Sequence, residues 1–199
     1  SNVVMVPFLY ALFYRKMPSL IATAGAFLTT AGLLVMAFTP GMSFNFGDAL
    51  SLLLALGCAL HVLFVGNLSR KMDPIALTVV QIASACIILT ALAVFIEPVP
   101  SFKAVPAKAW MGILYVALFV TVIPFLIQTV AQRYSPEIHA AVLLSLESPS
   151  GYVFAYLIGE EIVNFQVILG GMIVFAGVVL TELETFITKK FNHFFHDHA

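Results

Sequence analysis

The chain has 199 residues, a length that suits one soluble domain, but 61% of them are hydrophobic, 10% are charged and the mean hydropathy is +1.05. Charge this sparse cannot cover a water-facing surface, which excludes a soluble globular protein. The net charge is −1 and the nine Lys and Arg form no patch larger than a pair, which excludes nucleic acid as a partner.

A bilayer core takes roughly 20 apolar residues per helix. Six runs of that order and one short run can be read along the chain. The start, Ser1-Asn2-Val3, has no basic segment, short apolar core or small-residue cleavage site, so membrane insertion is expected from the helices themselves. The short run, Val3 to Phe13, ends in Tyr14, Arg15, Lys16 and Pro18 and reads as a helix whose beginning lies outside the sequence. The next, Leu20 to Phe38, carries Gly25, Thr29 and Gly32 on one face, a spacing that lets another helix approach closely, and is closed by Pro40 and Gly41. Ala49 to Leu68 repeats a small-residue face at Ser51, Ala55 and Ala59, with His61 as its one titratable group and Arg70-Lys71 beyond its end. Ile75 to Ile96 contains Gln81, and Glu97, Pro98 and Pro100 break it into the longest loop.

Trp110, opening the fifth run, suits a membrane interface. That run continues to Gln132 and holds Gln128 and Pro124, whose missing N–H is expected to free the Val120 carbonyl near mid-depth. Ile138 to Ile158 and Val163 to Thr181 follow. Within this last pair, Leu143-Leu144-Ser145-Leu146-Glu147-Ser148-Pro149 sets a carboxylate and a proline inside an apolar run. A charge in hydrocarbon is a functional hypothesis by default, and Pro149 is expected to free the Ser145 carbonyl and bend the helix where Glu147 stands. Cys58 and Cys86 lie in apolar runs without CxxC spacing and read as small hydrophobes packed in helices.

A weaker copy of the last pair stands at the N-terminus. Pro7, Tyr10 and Tyr14 repeat the spacing of Pro149, Tyr152 and Tyr156, and Gly25 with Ala31-Gly32 repeats Gly170 with Ala176-Gly177. The two halves of the copy are offset by three residues, in the intervening turn, and Met5 stands where the second copy has Glu147. If loops alternate sides, Arg15, Lys16, Arg70, Lys71, Arg133, Lys189 and Lys190 share one side against Lys103 and Lys108, which places the C-terminus in the cytoplasm. The copies lie an odd number of spans apart and so run in opposite directions, the pattern of an inverted-repeat transporter with its site at mid-membrane. Three spans precede the second copy and none the first, so ten helices in two sets of five are expected of the complete protein, this chain holding seven with the first partial.

Leu143 to Glu147 followed by Pro149, then Gly159-Glu160, Gln166, Gly170 and Ala176-Gly177-Val178, resembles the end of an EamA-type domain of the drug/metabolite transporter superfamily. Arg70-Lys71-Met72-Asp73-Pro74-Ile75-Ala76-Leu77 resembles the family's basic turn before its seventh helix. Ser148 separates Glu147 from Pro149, where the family often has Glu-Pro directly, and the Gly-Glu turn is missing near Arg15. The resemblance implies an all-α, polytopic transmembrane bundle. Residues 1–38 would be the last two helices of the first repeat, 48–183 the complete second repeat, and 184–199 a cytoplasmic or interfacial tail. It further implies a permease of the cell membrane moving small metabolites, amino acids or drugs, with a lipid bilayer around it, a homodimer as an allowed assembly, and neither cofactor nor metal.

Glu147 reads either as a substrate or proton site or as a structural carboxylate, since a central Asp, Lys or Arg costs about 2.5 to 3.5 kcal/mol and a comparable group needs compensation. Ser145, Gln128, Gln81 and His61 are further substrate or coupling candidates, with packing or helix-to-helix hydrogen bonding as the alternative for each. Pro7, Pro124 and Pro149 are the expected helix breaks, and Gly25, Gly32, Gly170 and Gly177 the packing glycines. Tyr10, Tyr14, Tyr152 and Tyr156 read as cavity rings or interface anchors. His193, His196 and His198 invite a metal reading but have no second ligand cluster, and read as a solvated tail. Phe186, Phe191, Phe194 and Phe195 beside Lys189-Lys190 suit a segment lying on the cytoplasmic membrane surface. No GxxxxGK[ST] loop is present, which disfavours ATP-driven transport. An intramembrane enzyme pairing His61 with Glu147 lacks any HExxH or GxSxG motif; a non-transporting membrane scaffold is the remaining alternative.

Overall fold

Local sequence decides where several helices start. Asn45 and Asp48 bond reciprocally, the Asn45 N–H to Asp48 Oδ2 at 2.7 Å and the Asp48 N–H to Asn45 Oδ1 at 3.1 Å, which satisfies two orphan donors at one helix start. Asp73 accepts from the Ile75 and Ala76 amides at 3.0 Å each, with Pro74 pre-set in the first helical position. Ser19 accepts from the Ile21 amide at 3.2 Å. Arg15, with φ of 52°, takes the left-handed conformation that ends the first helix in its basic turn.

These signals frame the helices of a computed structural model that describes residues 2–38, 45–97, 105–159 and 164–196, with side chains through residue 184. They are α1 (Asn2–Tyr14), α2 (Leu20–Ala37), α3 (Phe46–Ser69), α4 (Pro74–Ile96), α5 (Ala107–Tyr115), a π-helical segment (Val116–Val122), α6 (Ile123–Tyr134), α7 (Glu137–Leu144), α8 (Glu147–Gly159) and α9 (Phe165–His196). The described residues contain no strand. Among the described residues, six stretches are long and apolar enough to span a membrane: α2, α3, α4, Ala107–Tyr134, Glu137–Gly159 and Phe165–Glu184, with α1 shorter. The protein is an all-helical, multi-pass membrane protein. The turns expected at Pro40-Gly41, Pro98 to Lys103 and Glu160-Glu161 lie outside the described residues, as do His198 and the side chains of Phe186 to His196. The backbone of the tail continues α9 to His196 without a break.

Two compact units divide the chain, one made of Ser1–Phe64 with Pro136–Ala199, the other of Val65–Ser135. In the first, α2 and α9 form the principal contact, α1 packs on α2 and α7, α7 also meets α2 and α9, and α8 lies on α9. Val3 and Val6, Ala22 and Ala26, Ala59 with Val62 and Leu63, Ile138 with Ala140 to Val142, and Val178 make one buried cluster. Most of these side chains are small, as expected where helices associate by close packing in a solvent as apolar as leucine.

In the second unit α4 packs against α6, and Leu77 and Thr78 in the first two turns of α4 are buried. Arg70 Nη2 donates to the Ser135 carbonyl at 3.0 Å. From Ala83 to Ile96 every residue of α4 is exposed, a surface suited to lipid. Cys86 lies on that surface and Cys58 is exposed on α3, so both are free thiols within helices as expected, but at the surface rather than packed.

Pro124 also acts differently from the expectation at Val120. The turn before it is wound in π-helical register, the Ile123 amide donating to the Leu118 carbonyl and Thr121 Oγ1 to the Val116 carbonyl at 3.3 Å. In that five-residue register the donor missing at Pro124 falls opposite Phe119, and the span stays helical through a π bulge rather than breaking. Pro7 likewise sits inside α1 without dividing it.

Candidate functional site

The glycines expected to pack do so on one another. A Cβ built on Gly32 would lie 2.7 Å from the Gly170 carbonyl oxygen and 2.6 Å from the Val174 nitrogen. One built on Gly177 would lie 2.8 Å from the Gly25 oxygen and 2.7 Å from the Thr29 nitrogen. Backbones this close leave no room for a methyl group, so the seam between α2 and α9 exists only because these positions are glycine. Gly25 meets Gly177 while Gly32 meets Gly170, so the two helices run antiparallel. A shift of 145 residues (170 less 25, 177 less 32) carries Gly25 to Gly170, Thr29 to Val174, Gly32 to Gly177 and Met36 to Thr181. Applied to the contacts, it turns Gly25 against Gly177 and Thr181 into Gly170 against Gly32 and Met36, and Gly32 against Val174 into Gly177 against Thr29. The seam therefore has a local two-fold relation between α2 and α9.

Gln166, in the first turn of α9, locks the far end of this seam. Its Nε2 donates to the carbonyls of Val35 at 2.6 Å and Phe38 at 2.5 Å, satisfying acceptors that the end of α2 leaves without intrahelical donors. Thr29 Oγ1 is fully buried in the seam and has no hydrogen-bond partner among the described residues, whereas Thr181 Oγ1 donates to its own helix at the Gly177 carbonyl.

Beside the seam the Glu137–Gly159 span is interrupted. α7 stops at Leu144, Ser145 and Leu146 form a turn, and α8 starts at Glu147, the eleventh of the 23 residues in that span. Pro149 is the third residue of α8, a position where its missing donor is tolerated. The Ser145 carbonyl is not left free as expected; it accepts from the Ser148 amide at 3.3 Å, and the Leu146 carbonyl from the Ser150 amide at 3.0 Å. Buried Ser145 turns its hydroxyl back onto the Val142 carbonyl. The break thus satisfies its own acceptors and presents a helix start in mid-span, with the Glu147 carboxylate in the first turn of α8, where the helix dipole favours negative charge.

Glu147 is exposed on a hollow of about 370 Å³ shared with Ser148, Gly151, Tyr152 and Ala155. Tyr152 is also a wall of a larger apolar cavity of about 640 Å³ between α8 and α9, together with Tyr156, Pro149, Met172, Phe175 and, from α2, Met36. The second tyrosine pair therefore lines a cavity. In the first pair, Tyr10 and Tyr14 have ring centroids 4.8 Å apart, and Tyr14 donates its hydroxyl to the Leu63 carbonyl at 3.4 Å.

Glu147 lines the smaller hollow and Pro149 the larger, while Ser145, His61, Gln81 and Gln128 are not among the described residues lining either. His61 is half-buried on α3, Gln81 Nε2 bonds the Leu77 carbonyl of its own helix at 3.2 Å, and Gln128 is half-buried on α6 one turn beyond Pro124. Glu137 and His139, in the first turn of α7, are buried to 3% and 6% exposure and carry no expectation above. Glu137 directly after Pro136 is a readable helix start, and His139 stands at the beginning of the run Ile138 to Ile158.

The EamA-like transporter family matches residues 45–183. An uncharacterized transporter of Archaeoglobus fulgidus is 26% identical over 183 residues, 92% of this chain and 58% of that protein, so the chain spans less than two thirds of that relative's length. No solved structure matches it. A family match over most of a chain whose described residues form helices and no strand, with six spans of membrane length among them, leads to one conclusion: the chain belongs to the EamA-like transporter family.

Proposed function

We propose that the complete protein is a secondary transporter of small metabolites, amino acids or drugs working by alternating access. The observation that carries this reading is the mid-span break at Ser145-Leu146. It puts a helix start and a carboxylate beside a hollow in mid-span, and interrupted helices form the substrate and ion sites of secondary transporters near the bilayer midplane. The two-fold seam of α2 and α9 supports an inverted pair of repeats, and the expected ten helices in two sets of five are part of the proposal. In it the C-terminus is cytoplasmic, Glu147 binds or couples, and the chain performs no covalent chemistry.

Uptake or efflux by sealed vesicles holding a protein of the relatives' full length, with and without an ion gradient, tests it. Saturable, gradient-dependent flux abolished by Glu147→Gln is expected. Flux of no solute under any gradient would refute the reading. The 199-residue chain by itself should show none, because alternating access requires two complete bundles with a site between them.

A further inference from the structure

We infer that the α8–α9 cavity and the Glu147 hollow form one binding site for a hydrophobic organic cation, an amine carried on an aromatic or aliphatic body. The inference rests on the transporter reading only for the claim that the bound molecule is also moved.

The argument starts from charge. Among the described residues lining the two hollows there is no Lys, Arg or His, and Glu147 is the single charged side chain. In broken-helix transporters a half-helix N-terminus can attract an anionic group of the substrate. Here the first turn of α8 already carries a carboxylate, Glu147, so an incoming anion meets a negative charge beside the helix start rather than an unclaimed positive end. A cation meets the reverse.

Shape and surface then specify the body of the ligand. The cavity volume of about 640 Å³ falls within the range of roughly 300 to 1,000 Å³ that holds drug-sized molecules. Its walls are Met, Pro, Phe and aliphatic side chains with the rings of Tyr152 and Tyr156. Polarizable thioethers and aromatic faces accept an apolar body, and the negative face of a tyrosine ring also attracts a cation. Tyr152 is common to both hollows, so an amine facing Glu147 can keep its apolar body in the larger cavity.

Three indoles with one ring system separate charge from shape: tryptamine (cationic), 3-ethylindole (neutral) and indole-3-acetate (anionic). Equilibrium dialysis of each against the purified chain in micelles near neutral pH should give tryptamine about tenfold tighter binding than 3-ethylindole, a factor worth about 1.4 kcal/mol, with indole-3-acetate weakest. Glu147→Gln should abolish the preference without weakening 3-ethylindole, and Glu147→Asp should retain part of it, which excludes a misfolded variant. Gly171 lines the cavity, and its built Cβ meets only Pro149 at an ordinary 3.7 Å, so Gly171→Leu should fill space and weaken tryptamine and 3-ethylindole alike. Equal binding of the three indoles, or a Gln variant that keeps the tryptamine preference, would overturn the inference. A preserved preference without gradient-driven flux in the full-length protein would instead overturn the transport reading alone.

Discussion

Gly32→Ala probes the seam with the smallest perturbation available. The added Cβ falls 2.6 Å from the Val174 nitrogen and 2.7 Å from the Gly170 oxygen, where even a weak C–H···O contact needs about 3.3 to 3.6 Å between heavy atoms. The deficit is about 0.6 Å or more, and both obstacles are backbone atoms that cannot rotate away. The helices must part, and overpacking of this kind costs about 1 to 3 kcal/mol. At roughly 2 to 4 °C per kcal/mol for a chain of this size, the melting temperature in micelles, followed by circular dichroism, should fall by several degrees. Gly57→Ala is the control: nothing lies within 4 Å of its built Cβ, and replacing a mid-helix glycine should be neutral or gain up to about 1 kcal/mol. Because Gly170 faces Gly32, adding Gly170→Ala to Gly32→Ala should cost less than its single-variant penalty, the first methyl having already opened the seam. A Gly32→Ala chain that melts at or above the Gly57→Ala chain would refute the reasoning.

Thr29→Val should hold or raise the melting temperature, since it removes a buried hydroxyl without a partner whose cost is about 1 to 3 kcal/mol; a clear loss would show that the hydroxyl is bonded. Gln166→Leu should destabilise by about 1 to 3 kcal/mol in the same assay by stranding the Val35 and Phe38 carbonyls. In the complete transporter, Glu147→Gln should fold normally and lose flux or its pH dependence; an active, pH-responsive Gln variant would leave Glu147 as a structural carboxylate, and reduced stability of Glu147→Leu would then identify its hydrogen bond. With Cys58 and Cys86 first replaced, a cysteine at Lys71 should react with a membrane-impermeant reagent only after cells are opened, and one at Glu97 in sealed cells; the opposite pattern would invert the topology.

Span positions were legible because a bilayer demands long apolar runs, and their ends because Asp73-Pro74 and Arg15-Lys16 carry their own chemistry. The glycine seam was legible as spacing on each helix, but its antiparallel partnership is a property of the fold. Which faces are buried was not readable: α4 is apolar all round, and lipid and protein interior ask for the same residues, so Cys86 looks alike packed or exposed. Both proline expectations rested on an ideal four-residue hydrogen-bond register. The backbone found other registers, a π turn before Pro124 and a three-residue bond closing on the Ser145 carbonyl. The buried pair Glu137 and His139 escaped because burial at a span's end comes from neighbouring helices, on which local sequence is silent.

The relation that maps the α2–α9 seam onto itself has a consequence for how the contact responds to change. An interface in which i meets j and j meets i is the signature of two identical subunits about a two-fold axis. In such a dimer a single substitution alters both sides at once, so Gly25 and Gly32 would each answer for two contacts. Within one chain that constraint is absent, and Thr29 with its counterpart Val174, and Met36 with its counterpart Thr181, are places where the two sides differ chemically. The four glycines are the same on both sides. The seam thus has the form of a contact between two copies of one unit, held inside a single chain whose two sides can be altered one at a time.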